Sequence, residues 1–222
     1  MDREQAVQHA ANAEQSRTAQ EAVLKNMSNI AKQDVELAIV ERDFLFGAYN
    51  NVINSLQESR KEASSTSQKQ ELEQDLVDTC ENMLGLLENY LIKSAYSSES
   101  KVFYYKIAGD TYPYLADLAR DTTNDPQGPA EKAQSYYTNA SNLAKTEIAP
   151  THPTRLGLSL NYAILYHGIL ESPDKAIELA KTAFDDAIAE LDTLVEENYQ
   201  ASTLIMGQLQ EKLQLWNSAA SD

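Results

Sequence analysis

The residues that most often do chemistry are scattered along this 222-residue chain. The three histidines, His9, His152 and His167, lack the i, i+4 partner or nearby cysteines of a zinc site. The single cysteine, Cys80, and His167 fall on apolar helical patterns, which is typical of packed core residues. Glycine-rich phosphate loops and Gly-x-Ser-x-Gly turns are absent. We therefore expect a protein that is not an enzyme and that carries no cofactor and no metal.

The charge of the chain excludes several classes of partner. Thirty-four acidic and 18 basic residues give a formal net charge of −16. A nucleic-acid-binding protein would present a basic face, and an anionic membrane would repel this chain. The sequence also contains no apolar run of transmembrane length and begins with a polar stretch. These features predict a cytoplasmic or nuclear protein that binds neither nucleic acid nor membrane.

The elements that must position any functional residue are helices. Alanine, glutamate, glutamine, leucine and lysine are abundant, whereas glycine (7) and proline (6) are sparse. We predict an all-α fold of nine antiparallel helices in a single domain, 1–222. The helices are expected near 3–16, 19–33, from Asp34 to about 64, 71–92, 98–120, 130–146, 154–170, from 173, and 196–216. Segments 65–70 and 121–129 are expected to be a turn and a loop. Ser172 is expected to cap the eighth helix, with Pro173 as its first residue.

One residue conflicts with this pattern. Pro113 lies well inside the fifth predicted helix, where proline removes a backbone hydrogen bond and costs roughly 3 kcal/mol. We expect the helix to bend there.

Four of the helices carry amphipathic faces. Each face is by itself typical of a helix that packs on one side. Within each set, residues three, four or seven positions apart share a side of their helix. The faces are Asn50, Gln57 and Lys61; Lys106, Asp110, Pro113 and Tyr114; Leu160, Asn161, Ile164 and Gly168; and Leu204, Ile205, Gln208 and Lys212.

Together, these faces have a parallel in a known family. The segments "RDFLFGAYNNV", "SKVFYYKIAGDTYPYLADLA", "EIAPTHPTRLGLSLNYAILYHGIL" and "STLIMGQLQEKLQLW" resemble, in order, signatures of the 14-3-3 family. The resemblance covers nearly the whole chain. It implies a cup of nine helices with a concave groove formed by the third, fifth, seventh and ninth. It also implies an adapter that binds phosphoserine or phosphothreonine segments of partner proteins.

The resemblance breaks down at the phosphate site. Asn50, Gln57 and Pro113 stand where the family carries a lysine and two arginines, although Tyr114 is kept. The other groove positions that the resemblance implies are Lys61, Lys106, Leu160, Asn161, Ile164, Leu204, Ile205, Gln208 and Lys212. Three lost charge-assisted contacts correspond to about 4–9 kcal/mol if they were additive. We therefore expect phosphate recognition to be weak or altered while the peptide groove is kept.

An alternative is a scaffold that has lost groove binding and pairs with other family members. The family dimerises through its first helix and the turn between helices three and four. This turn is short here, and Asn12 and Ala19 stand where the family tends to have a leucine and a tyrosine. A homodimer or heterodimer, an altered dimer and a monomer therefore all stay open.

Overall fold

The all-α prediction is confirmed by the structure, a computed structural model. It describes residues 2–14, 16–33, 35–123 and 125–219. Over these residues the chain forms nine main helices and no strand. In the part of the chain described, no helix is long and apolar enough to cross a membrane.

The helices follow the predicted order. They are α1 (Arg3–Ala11), α2 (Arg17–Ala31), α3 (Ile39–Glu62), α4 (Thr66–Leu86), α5 (Ser98–Thr122), α6 (Gln127–Glu147), α7 (Pro153–Gly168), α8 (Pro173–Ala189) and α9 (Tyr199–Ala219). A π-helical turn, Leu87–Leu91, and a short helical segment, Ile92–Ser94, continue α4. The chain divides into two compact units, Met1–Tyr96 and Ser97–Asp222. The prediction of a single domain stays a prediction.

The first unit packs α2 and α4 against α3, with α1 against α2 and α3. The buried face of α3 carries Tyr49, Ile53 and Leu56, which are at most 2% exposed. Cys80 of α4 is fully buried, and the Tyr49 hydroxyl donates to its sulfur over 3.6 Å. The prediction that this thiol is a packed core residue is confirmed.

The second unit packs α5 against α6 and α7, and α9 against α7 and α8. An apolar core cluster of this unit joins Leu156, Ala163, Leu209 and Trp216. The His167 ring stacks on Trp216 at a centroid distance of 4.7 Å. His167 is therefore a packed residue, as predicted.

The predicted start of α3 is wrong. The helix begins at Ile39 instead of near position 34, which lies outside the described residues. The Ala38 N–H donates to Glu41 Oε2 over 2.8 Å, so the first turn is closed there by the glutamate side chain. Arg3 of α1 in turn pairs with Glu41 and fixes its position.

Two predicted loops are also wrong in extent. Segment 65–70 is the first turn of α4, because Ser65 Oγ accepts the Gln68 N–H over 3.2 Å and caps the helix. Segment 121–129 is helical at both of its ends, because α5 runs to Thr122 and α6 begins at Gln127. The Thr122 hydroxyl donates to the Leu118 carbonyl over 2.8 Å, which extends the end of α5.

Other helix ends need smaller corrections. Pro173 does begin α8, but the Ser172 hydroxyl donates to the Leu170 carbonyl over 3.0 Å and makes no capping bond. Two short 3₁₀ turns, Leu191–Thr193 and Glu196–Asn198, precede α9, which therefore begins at Tyr199 rather than at 196. Helix α1 ends at Ala11, and α2 begins at Arg17 rather than at 19.

Candidate functional site

In the first unit, the candidate residues form one stripe on α3. Asn50 and Lys61 are exposed and Gln57 is half-buried, while the opposite side of the helix packs into the core. The side chains at the three positions carry a single positive charge, that of Lys61. The stripe thus offers amides where the family resemblance leads us to expect cations.

In the second unit, α5 continues through Pro113. The helix is unbroken from Ser98 to Thr122, with Pro113 and Tyr114 half-buried. Proline has no N–H, so it donates no bond to the carbonyl of Gly109 one turn earlier. The helix survives this loss because both flanking turns are packed: Ala108, Tyr112 and Ala116 are at most 6% exposed. The bend expected at Pro113 stays a prediction.

Next to Pro113, four side chains form a hydrogen-bonded group that we call the Asp110 network. Lys106 Nζ donates to Asp110 Oδ2 over 2.5 Å. The Tyr137 hydroxyl and Asn161 Nδ2 both donate to Asp110 Oδ1, over 2.7 and 2.8 Å. Since Tyr137 lies on α6 and Asn161 on α7, one carboxylate joins three helices of the second unit.

The Asp110 network is largely shielded from water. The side chains of Lys106 and Asp110 are 15% and 21% exposed, and Tyr137 is 1% exposed. Burial raises the pKa of Tyr137 well above its usual value, and the charge of Asp110 raises it further. The phenol therefore keeps its proton and stays a donor. Lys106, in turn, has its charge matched by a carboxylate, which weakens its attraction for any other anion.

The same contacts fix the orientation of Asn161. A carboxylate only accepts hydrogen bonds, so the amide must present its nitrogen to Asp110. Its carbonyl oxygen and its second N–H are left for other partners. An amide held in this way can accept from one peptide N–H and donate to one peptide carbonyl.

Helices α5, α7 and α9 meet at Gly157. A Cβ at this position would lie 3.3 Å from Lys106 Cε and 3.8 Å from Ile205 Cδ1. On the same helices, Ile164 of α7 and Leu204 of α9 are 41% and 65% exposed. We call these two residues and Ile205 the apolar wall, which is the candidate apolar surface on the same unit as the Asp110 network.

The remaining predicted groove positions differ from one another in exposure. Leu160 is 7% exposed and belongs to the apolar core cluster, so it offers little surface. Gln208 is exposed and Lys212 half-buried, one and two turns beyond Leu204 on α9. The structure thus brings together Lys106, Asn161 and Ile205, while the α3 stripe belongs to the other unit.

Two residues of the Asp110 network were not among the predicted site residues. The sequence does place Asp110 on the face of Lys106, four residues after it, which is the spacing of an ion pair, but Asp110 is not one of the groove positions that the resemblance implies. Tyr137 gives no such signal, because its bond to Asp110 spans 27 residues and two helices.

Comparison with known proteins supports the resemblance found in the sequence. The family model described as "14-3-3 protein" matches residues 9–217. The 14-3-3 family protein artA of Aspergillus flavus is 44% identical over 236 aligned positions, covering 99% of this chain and 98% of that protein. The 14-3-3 protein epsilon of Drosophila melanogaster is 45% identical over 98% of this chain and 88% of that protein. The checkpoint signal transducer rad24 of Schizosaccharomyces pombe is 45% identical over 98% and 86%.

These matches extend over nearly the whole chain and run through both units. Proteins of this family are adapters that bind partner proteins, and they are not enzymes. The helix order, the match to the family model and the three relatives agree, and this chain therefore belongs to the 14-3-3 family.

Proposed function

We propose that this 14-3-3 protein binds extended segments of partner proteins through the Asp110 network and the apolar wall, with little dependence on phosphorylation. The observation that carries the proposal is the Lys106–Asp110 pair at 2.5 Å. On the α5 face, where Pro113 replaces an expected arginine, the lysine that remains is already neutralised.

The energetic argument compares what is lost with what is kept. A hydrogen bond to a charged group contributes about 1.5–3 kcal/mol, and arginine can grip a phosphate with two of them. Asn50, Gln57 and Pro113 supply no charge, so a phosphate would lose several such contacts. The Asn161 amide still offers a donor and an acceptor to backbone groups, and the exposed Ile164 and Leu204 still offer apolar surface to side chains of a partner. Both retained interactions work equally well with an unphosphorylated chain.

A pair of peptide libraries tests the proposal directly. One carries phosphoserine at a fixed central position within degenerate flanks, and its twin carries serine there. We expect the immobilised full-length protein to retain both libraries to a similar degree, and Asn161→Ala to lower the retention of both. A strong preference for the phosphoserine library, or no effect of Asn161→Ala, would count against the proposal.

Restoring charges should restore the preference for phosphate. Pro113→Arg is expected to raise the affinity for phosphoserine peptides by about tenfold, which corresponds to about 1.4 kcal/mol. Pro113→Ala repairs the helix without adding charge and serves as the matched control, and it should leave the preference unchanged.

The α3 stripe allows a separate test. Asn50→Lys with Gln57→Arg should also raise the preference for the phosphoserine library. Asn29→Lys with Gln70→Arg adds the same charges at exposed positions on α2 and α4. Equal gains in both double variants would mean that net charge, rather than the position of the charges, decides the binding.

A further inference from the structure

We infer that Tyr137 is a positioning residue for partner binding, acting through Asp110 to orient the Asn161 amide and the Lys106 ammonium. The inference rests on the proposed function, because it assigns a role in binding to a residue that lies beneath the binding face. Tyr137 is 1% exposed and cannot itself offer much surface to a partner.

The ring of Tyr137 is held tightly in place. A Cβ at Gly109 would lie 2.6 Å from ring atoms Cδ1 and Cε1, so the ring lies directly against the α5 backbone. The ring also stacks on Tyr162 of α7 at a centroid distance of 5.2 Å. In contact with both α5 and α7, the ring brings its hydroxyl to Asp110 Oδ1 at 2.7 Å.

The buried Tyr137 hydroxyl thereby fixes the position of the Asp110 side chain. That side chain rotates freely about two bonds unless something restrains it. The hydroxyl of Tyr137 approaches from α6 and stays protonated, because burial and the neighbouring carboxylate raise its pKa. Asn161 and Lys106 both bond to the Asp110 carboxylate, which Tyr137 restrains. The orientation of both side chains therefore depends on Tyr137.

The first test needs no partner. We propose measuring the side-chain amide resonances of Asn161 in the labelled full-length protein, assigned by their loss in Asn161→Ala. Tyr137→Phe deletes the hydroxyl alone. We expect this variant to shift both Nδ2 proton resonances and to lower the order parameter of the Asn161 side-chain amide, because Asp110 loses its restraint.

The matched control is Tyr166→Phe. The Tyr166 hydroxyl bonds to Gln134 and Tyr162, over 3.2 and 2.9 Å, so the variant loses hydrogen bonds within the same tyrosine stack without touching Asp110. Its Asn161 resonances should match the wild type. Unchanged resonances in Tyr137→Phe, or equal shifts in both variants, would overturn the inference.

A second variant guards against misfolding. Asp110→Asn keeps the side-chain volume and removes the charge that Lys106 and Asn161 contact. If Tyr137→Phe fails to fold, Asp110→Asn must still displace the Asn161 resonances, or the inference is wrong.

The second test measures binding. A peptide recovered from the serine library is expected to bind Tyr137→Phe about tenfold more weakly than wild type, and Tyr166→Phe within about twofold. Equal affinities of the two variants would overturn the role in binding. If the wild type retains no peptide, the proposed function has failed, whereas the resonance test of positioning still stands.

Discussion

Each unit of this protein buries a tyrosine whose hydroxyl donates a hydrogen bond to a titratable side chain. In the first unit, Tyr49 of α3 is 2% exposed and donates to the Cys80 sulfur of α4. In the second, Tyr137 of α6 is 1% exposed and donates to Asp110 of α5. The two tyrosines have similar burial, but their partners differ. Cys80 is fully buried, whereas Asp110 is 21% exposed at its side chain and holds two further polar groups.

The difference shows how a core residue can influence a surface. Cys80 lies in the interior, so the Tyr49–Cys80 bond can contribute to stability but holds no exposed group. Asp110, by contrast, also accepts hydrogen bonds from Lys106 and Asn161, which are both half-buried and so keep part of their surface exposed. Loss of either tyrosine hydroxyl should cost stability, and only loss at Tyr137 should also change binding.

The largest effect is expected from Asp110→Ala. The variant leaves Lys106, Tyr137 and Asn161 without their shared acceptor, and removing one partner of a largely buried ion pair costs about 3–5 kcal/mol. Urea denaturation should show a loss of about 3 kcal/mol, since the pair is partly solvated.

Asp117→Ala is the matched control for this variant. Asp117 also pairs with a cation on α5, Arg120, but both side chains are exposed, by 59% and 45%. Such pairs contribute about 0–1 kcal/mol. Equal losses in the two variants would show that Asp110 is an ordinary surface carboxylate.

A smaller effect is expected from Gly109→Ala. The added Cβ would meet the Tyr137 ring at 2.6 Å, and overpacking of this kind costs about 1–3 kcal/mol. At Gly207 of α9 an added Cβ would meet no heavy atom within 4 Å beyond its chain neighbours and its own helix backbone, and glycine inside a helix is disfavoured. Gly207→Ala should therefore stabilise the protein by up to about 1 kcal/mol. Thermal melts that move in the same direction for both variants would refute the tight packing of Tyr137.

The sequence predicts the existence and order of the helices well, because apolar periodicity persists over many turns in each. It predicts their ends poorly. The start of α3 depends on Glu41, which caps the helix and is held by Arg3 of α1. The start of α4 depends on a single serine cap in a stretch without apolar periodicity. Single side-chain bonds decide both boundaries, and composition does not record them.

The candidate site, too, can be predicted only in part from the sequence. The resemblance to the family selects Lys106, Asn161 and Ile205, which the structure places close together. The residue that links two of them, Asp110, is visible only through its i, i+4 spacing to Lys106. Leu160 packs into the core cluster. The periodicity of a single helix does not determine which of two adjacent residues, Leu160 or Asn161, points to the core. Contacts between helices are therefore the part of the site that the sequence does not determine.

The pH dependence of the first unit offers a third prediction. Burial raises the pKa of the Cys80 thiol from 9.0 to about 11, against a smaller opposing effect of the Tyr49 hydroxyl. A raised pKa means that the neutral thiol stabilises the fold fully below pH 9.0, and that this stabilisation is lost as the pH rises toward 11. The loss should be about 2 kcal/mol. Cys80→Ala lacks this thiol, so its unfolding free energy should fall less than that of the wild type over this range. Parallel pH profiles would show that Cys80 does not titrate in this way.

The smallest effect tests the comparison itself. Tyr49→Phe removes a weak bond to sulfur and should cost about 1 kcal/mol or less, whereas Tyr137→Phe removes a bond to a carboxylate and should cost about 1.5–3 kcal/mol. Urea denaturation of both variants measures the difference. Because the Tyr49 hydroxyl contacts a buried thiol, Tyr49→Phe should leave the affinity for a serine peptide unchanged. This should hold even if Tyr49→Phe proves to lower the stability as much as Tyr137→Phe does. The contrary result would be an affinity that falls in proportion to the lost stability in both variants. The two buried hydroxyls would then differ only in the strength of their hydrogen bonds, and neither would position groups at the surface.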